Sequence, residues 1–291
     1  MSVLDVTRPD VVPPPVERRL LRRLWRHPSG RWGLLLGAAL LLFAALGAVW
    51  TPYAPDVPDY ANALKGPSLA HPFGTDATGR DMFSRVMNGA HRSIGAAMLV
   101  LAAVFAIGLV LGTLAGLAGG LTDTVVMRVA DVAMALPGLV LAFAVLGLLG
   151  PGFVNLLVAL IVADWAWYAR LSRSLSLDAR QRPHVIAAQM AGIPRWRIVL
   201  GHILPGVALQ VGIVATLALG SMIGAISGFS FLGLGVQPPA AEWGALLAES
   251  RLFFALAPWL LLAPAWMIFL SVLAANLVGN ALRDVASPGE A

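Results

Sequence analysis

The chain contains no cysteine, and among its 20 basic residues only Lys65 is a lysine. Without cysteine there is no disulfide framework, no thiolate metal site and no thiol nucleophile. A Walker A loop needs a lysine after a glycine-rich turn to reach nucleotide phosphates. Lys65 stands in Ala-Leu-Lys-Gly-Pro with no such turn before it. The chain therefore has no P-loop of its own, and ATP-driven work would need a partner. Charge is also scarce. Asp, Glu, Lys and Arg make up 12% of the 291 residues, against about 25% in soluble domains. Hydrophobic residues reach 58%, and the mean hydropathy is +0.80. This excludes a disordered chain and argues against a soluble enzyme. It fits an all-α polytopic membrane protein. The net charge of +5 taken alone would suggest nucleic acid; in a membrane protein the expected partner is lipid, and the informative question is which loops carry the arginines.

Six apolar runs follow one another. Residues 1–15 are polar and proline-rich, a composition expected to be disordered. Residues 16–26 place Val16, Leu20, Leu21, Leu24 and Trp25 on one helical face and arginines on the other. That pattern suits a basic helix in the headgroup region or a plain positive anchor, within a cytoplasmic segment 1–31. The first span is 32–50, followed by an extracytoplasmic connection, 51–92. The five-helix core, 93–283, holds spans at about 93–117, 125–149, 153–168, 204–226 and 259–278. Pro137-Gly138 should kink the third of the six spans. The tail is 284–291.

An even number of spans puts both termini on one side. The arginine-rich segments 16–31 and 170–202 then share that side with the tail, while 51–92 and 229–258 lie opposite. The positive-inside rule places the termini and the 170–202 loop in the cytoplasm. Gly108, Gly112 and Gly116 form one small-residue ridge, and Gly220, Gly224 and Gly228 another. Such ridges let helices approach closely, within the chain or at a subunit interface.

The 170–202 loop reads as a short helix, a break at Gly192, and a second short helix with Pro194 in its first turn. Ala187 and Ala188 leave a shallow surface, and Ile186, Met190 and Ile193 offer apolar knobs. An apolar patch among arginines is a candidate protein-docking site. Ala187-Ala188-x3-Gly192, followed by His202-Ile203-Leu204-Pro205, resembles the coupling loop of bacterial ABC-importer permeases. The family commonly has Glu where this chain has Ile186, so a salt bridge from that position does not carry over.

The resemblance runs along the chain from about residue 30. Gly74, Thr75, Asp76, Gly79, Arg80 and Asp81 resemble the G-T-D-x-x-G-R-D signature of dipeptide, oligopeptide and nickel permeases, specifically their C-type subunit. Gly233, Gly235, Pro238, Pro239 and Trp243 match the loop before the last span. Asn276 to Asp284 match the C-terminus. Trp165-Ala166-Trp167-Tyr168-Ala169-Arg170 leans towards the nickel or metal-chelate branch. The resemblance implies a non-catalytic permease subunit of type I architecture in the bacterial inner membrane. Its implied partners are a homologous second permease, two cytoplasmic ATP-binding subunits that use ATP and Mg, and an extracytoplasmic substrate-binding protein. The cargo would be peptides, nickel or metal chelates.

A few polar residues carry sharper alternatives. Asp164 is read near the cytoplasmic end of the fourth span, next to Trp165, where charge is expensive, and is a candidate pathway residue. Its alternative is an interfacial carboxylate held near Trp165 or Trp167. Asp131 is expected to pair with Arg128 three residues before it. Asp76 and Asp81 are expected to order their loop through Arg80 and Arg85 and to cap the helix at Met82. None of the five histidines falls in an apolar run, so no metal site, cofactor site or catalytic residue is assigned. A secondary transporter or channel is the rival reading. Such transporters often show inverted repeats and midplane acids, whereas this chain has no convincing repeat and one such acid.

Overall fold

The computed structural model describes residues 22–286. The expected disorder of 1–15 and most of the basic helix at 16–26 lie outside them, as does the end of the tail. Residues 22–26 are helical. No β-strand occurs among the described residues, only an isolated bridge between Thr75 and Asp81. The long elements are α1 (Pro28–Val49), α2 (Met82–Ala118), α3 (Gly120–Met134), α4 (Gly138–Leu149) and α5 (Phe153–Arg180). They continue with short α6 (Pro183–Met190) and α7 (Arg195–Ile198), then α8 (Leu204–Phe231), short α9 (Trp243–Ser250) and α10 (Trp259–Ala286). Among the described residues five helices are long and apolar enough to cross a membrane, and α3 with α4, bent by 90° at their break, passes the same test when the two are taken together.

Three of the differences from the hydropathy reading have a visible reason. The second helix begins at Met82, not near residue 93, because its polar first three turns are bonded inside the protein. Arg85 is buried there, Asn88 Nδ2 donates to Gly47 O (3.2 Å), and Arg92 Nη1 donates to Ala241 O (3.0 Å). The fifth helix runs on from Tyr168 to Arg180. Its arginines there reach back to α3: Arg173 makes a two-pronged pair with Asp123 (2.5 and 2.6 Å), and Arg170 pairs with Asp131. Asp131 therefore answers Arg170 on another helix and not Arg128 on its own. Finally, Pro137 breaks the third span rather than kinking it, since proline removes a backbone donor and clashes with the preceding turn.

The centre of the bundle is α2 against α5. A Cβ built on Gly108 would meet Tyr168 Cβ at 2.3 Å, and one on Gly112 would meet Ala169 O at 2.1 Å. The first glycine ridge is thus consumed by contact within the chain. Of the second ridge, Gly220 packs on Val272 of α10, while Gly224 and Gly228 have open space beside them. One core cluster joins α2, α4, α5 and α8. The other joins α1, α2, α9 and α10. The loops sort to two ends, as six spans require. At one end, residue 80 meets residue 249 and Gly152 N donates to Leu234 O (3.1 Å). At the other, Asp123 meets Arg173, and His184 lies against His202 with ring centroids 6.5 Å apart.

Candidate functional site

The first signature loop is a tightly stitched unit. Gly79 has φ +81°, and a Cβ there would fall 1.6 Å from Asp59 O, so only glycine fits. Gly74 lies under Trp259 and Lys65 O. Thr75 is fully buried; its Oγ1 accepts from Lys65 N (2.9 Å) and donates to Asn62 O. Asp81 caps α2 by accepting from Ser84 N at 2.7 Å, and its other oxygen faces His71 Nδ1 at 2.9 Å.

Asp76 is the hub of a buried charge cluster. Its Oδ2 accepts from Arg80 Nε (2.7 Å) and Arg85 Nη1 (2.9 Å), and its Oδ1 accepts from Thr78 (2.8 Å). Burial pushes its carboxyl upward, but Arg85, the Thr78 bond and Arg80 together outweigh that and hold it below the ordinary 3.8. Glu249 completes the cluster. It accepts from Arg80 Nη2 at 2.9 Å and from Arg85 Nη1 at 2.7 Å. Two arginines thus face two carboxylates.

The second signature loop closes on the first. Arg85 Nη2 donates to Pro239 O (3.2 Å), and Pro238 and Pro239 share a cis peptide bond. Trp243 is fully buried and its Nε1 donates to Val86 O (2.9 Å). Glu242 caps α9 and accepts from Ser93 Oγ at 2.9 Å. Gly233 ends α8 with φ +81°, and Gly235 packs on Ser230. Two motifs about 160 residues apart are thereby one latch. Sequence reasoning did not assign Glu249 to it. The available signal was charge balance: Arg80 and Arg85 needed a second acid on that side, and only a few exist.

The docking loop presents Ile186, Ala187, Met190 and Pro194 outward, with Ile193 half-buried. Gly192 ends α6 with φ +74° and has nothing within 4 Å of a built Cβ. Ala188 requires a correction. It is only 6% exposed and belongs, with Val185, to the chain's own core. The helical period turns residues 185 and 188 inward and 186, 187 and 190 outward. Only one of the two alanines therefore lies on the exposed surface.

Asp164 also moves. Because α5 extends to Arg180, Asp164 is its twelfth residue and lies near mid-helix, not near the cytoplasmic end of the span. It is half-buried beside the α3–α4 break; a Cβ on Gly138 would lie 3.7 Å from its Oδ1. No group of three or more metal-ligating side chains occurs among the described residues.

Residues 108–290 match the family model described as "Binding-protein-dependent transport system inner membrane component". The chain is 40% identical over 264 residues to the nickel transport system permease protein NikC of Escherichia coli, covering 89% of this chain and 95% of that one. It is 38% identical over 293 residues to the glutathione transport system permease protein GsiD of Pectobacterium atrosepticum, covering 99% and 96%. The corresponding protein of Shigella sonnei is 39% identical, covering 99% and 95%. With the matched segment spanning most of the helical bundle and all three relatives aligned almost end to end, the chain belongs to the family of binding-protein-dependent transport system inner membrane components, the permease subunits of ABC importers.

Proposed function

We propose that this permease subunit carries peptides, nickel or metal chelates across the bacterial inner membrane, in partnership with a homologous second permease. Two cytoplasmic ATP-binding subunits would dock on the Ile186–Pro194 surface and hydrolyse ATP with Mg, and an extracytoplasmic binding protein would deliver cargo. The observation that carries this reading is the docking loop. It is a short helix with outward apolar side chains and a left-handed glycine stop, at the end of the bundle richest in arginine. Among the described residues, Ile186, Ala187, Met190 and Pro194 stay exposed. Purification of the assembled complex tests the reading. Hydrolysis stimulated by loaded binding protein is expected, and ligand identification on that binding protein names the cargo. ATP hydrolysis by the permease alone, or hydrolysis indifferent to the binding protein, overturns it.

The proposed orientation has cytoplasmic termini and a cytoplasmic 170–202 segment. Single cysteines can be placed at Ser174 and Ala240 in this cysteine-free chain. An impermeant thiol reagent added to spheroplasts should label Ala240→Cys and spare Ser174→Cys. Labelling of both, or the reverse pattern, refutes the orientation.

A further inference from the structure

Asp164 lines a cavity of about 340 Å³ together with Gly138, Leu139, Leu160, Ser221 and Met222. No arginine, lysine or histidine lines it among the described residues. The two nearest arginines along α5 are committed elsewhere, Arg170 to Asp131 and Arg173 to Asp123. Asp164 is roughly 17 Å along the helix at ~1.5 Å per residue, near the middle of a ~30 Å hydrocarbon core. A carboxylate at that depth is expensive unless water or a cation attends it. The neighbouring chain break points the same way, because irregular backbone is tolerated at membrane depth where it lines a wet cavity or is buried in protein.

Apart from Asp164, the lining side chains offer one hydroxyl, from Ser221, and otherwise aliphatic groups and a thioether. A bare divalent metal needs roughly four to six ligands, which this wall lacks. A cation that keeps its own shell does not need them. Six waters at ~30 Å³ each occupy roughly 180 Å³, which the cavity accommodates. We infer that Asp164 is a charge-selecting station on the translocation path, favouring small cargo that presents net positive charge while retaining its own shell or chelator. This rests on the importer reading and narrows its cargo. The shared chemistry is a shielded cation, whether a coordinated metal or a peptide ammonium.

The test uses the assembled complex with Ser221→Cys, an exposed position on the cavity wall. The probes are a trimethylammonium-ethyl and a sulfonato-ethyl methanethiosulfonate. With Asp164 present, the cationic reagent should react faster, and Asp164→Asn should lower the cation-to-anion rate ratio by at least about tenfold. Asp164→Glu should retain the preference, which separates charge from shape. Hexaamminecobalt(III), a substitution-inert shelled metal, and an alanyl-lysine dipeptide then serve as competitors. Slowing by the first assigns a coordinated metal, and slowing by the second a peptide ammonium. A ratio unchanged by Asp164→Asn, or a cysteine protected by neither competitor, overturns the inference. Failure of the importer reading would show separately, as loss of binding-protein-stimulated hydrolysis in the parent complex.

Discussion

Replacing Arg85 with alanine is expected to destabilise the permease by about 3–5 kcal/mol, the usual cost of removing one partner from a buried ion pair. Arg85 is 0% exposed and holds Asp76, Glu249 and the Pro239 carbonyl at once. Its loss leaves Asp76 and Glu249 with Arg80 alone and unties the segment before the last helix. Membrane abundance should fall sharply, and the aggregation temperature in detergent should drop by many degrees. Arg85→Lys should lie between, because a lysine cannot span three acceptors in a fixed fork. The same cluster sets an acid limit. Asp76 titrates below its ordinary 3.8 in the folded state. Its contribution is therefore complete above that value and disappears as pH falls through the lower folded value. The parent's stability should decline steeply below about pH 4, and Arg85→Ala should flatten that slope. A variant as heat-stable as the parent, with the same acid profile, would remove the cluster from the account of this fold.

The second large effect concerns coupling. Gly192→Val forces a β-branched residue into the left-handed region, at roughly 1–2 kcal/mol. No neighbouring atom adds to that cost. Met190→Glu places charge on an 84% exposed apolar side chain. Neither change should empty the membrane of the protein. On the proposed docking role, each should lower ATPase co-purification and cargo uptake at least tenfold. Ala188→Glu supplies the contrast, since its carboxylate would enter the chain's own core and abundance itself should collapse. If Gly192→Val and Met190→Glu are abundant and transport at the parent rate, the ATPases do not dock here.

Much of this molecule is legible in its residues because lipid imposes simple rules. Long apolar runs had to be helices, and the two signature loops stand out between them, the first by its polar glycine turns and the second by Gly233, Gly235 and Pro238-Pro239. What hydropathy misreads are side chains whose charge is answered far away. Arg85, Asn88 and Arg92 look like loop residues until Glu249, Gly47 and Ala241 supply their partners. Arg170 and Arg173 look like a helix exit until Asp131 and Asp123 appear on a neighbouring helix. That error also misplaced Asp164, which comes to mid-helix only once α5 is seen to run to Arg180. Ala188 was misjudged for a different reason: an eight-residue helix is too short for its inward face to announce itself.

The joining of Arg85 to Glu249 across 164 positions of chain also bears on biogenesis. At ~5–20 residues per second of synthesis, roughly 8 to 33 seconds separate the emergence of the arginine from that of its glutamate. Throughout that interval Arg80 and Arg85 have Asp76 as their only acid from the eventual cluster. The amino end of α2 cannot settle into its final environment, and α1 has α2 but not yet α10 to pack against. The first half of the permease is thus committed late, by the delivery of the segment preceding its last helix. A nascent chain stalled before that segment holds Arg80 and Arg85 with one of the two carboxylates that answer them in the finished fold.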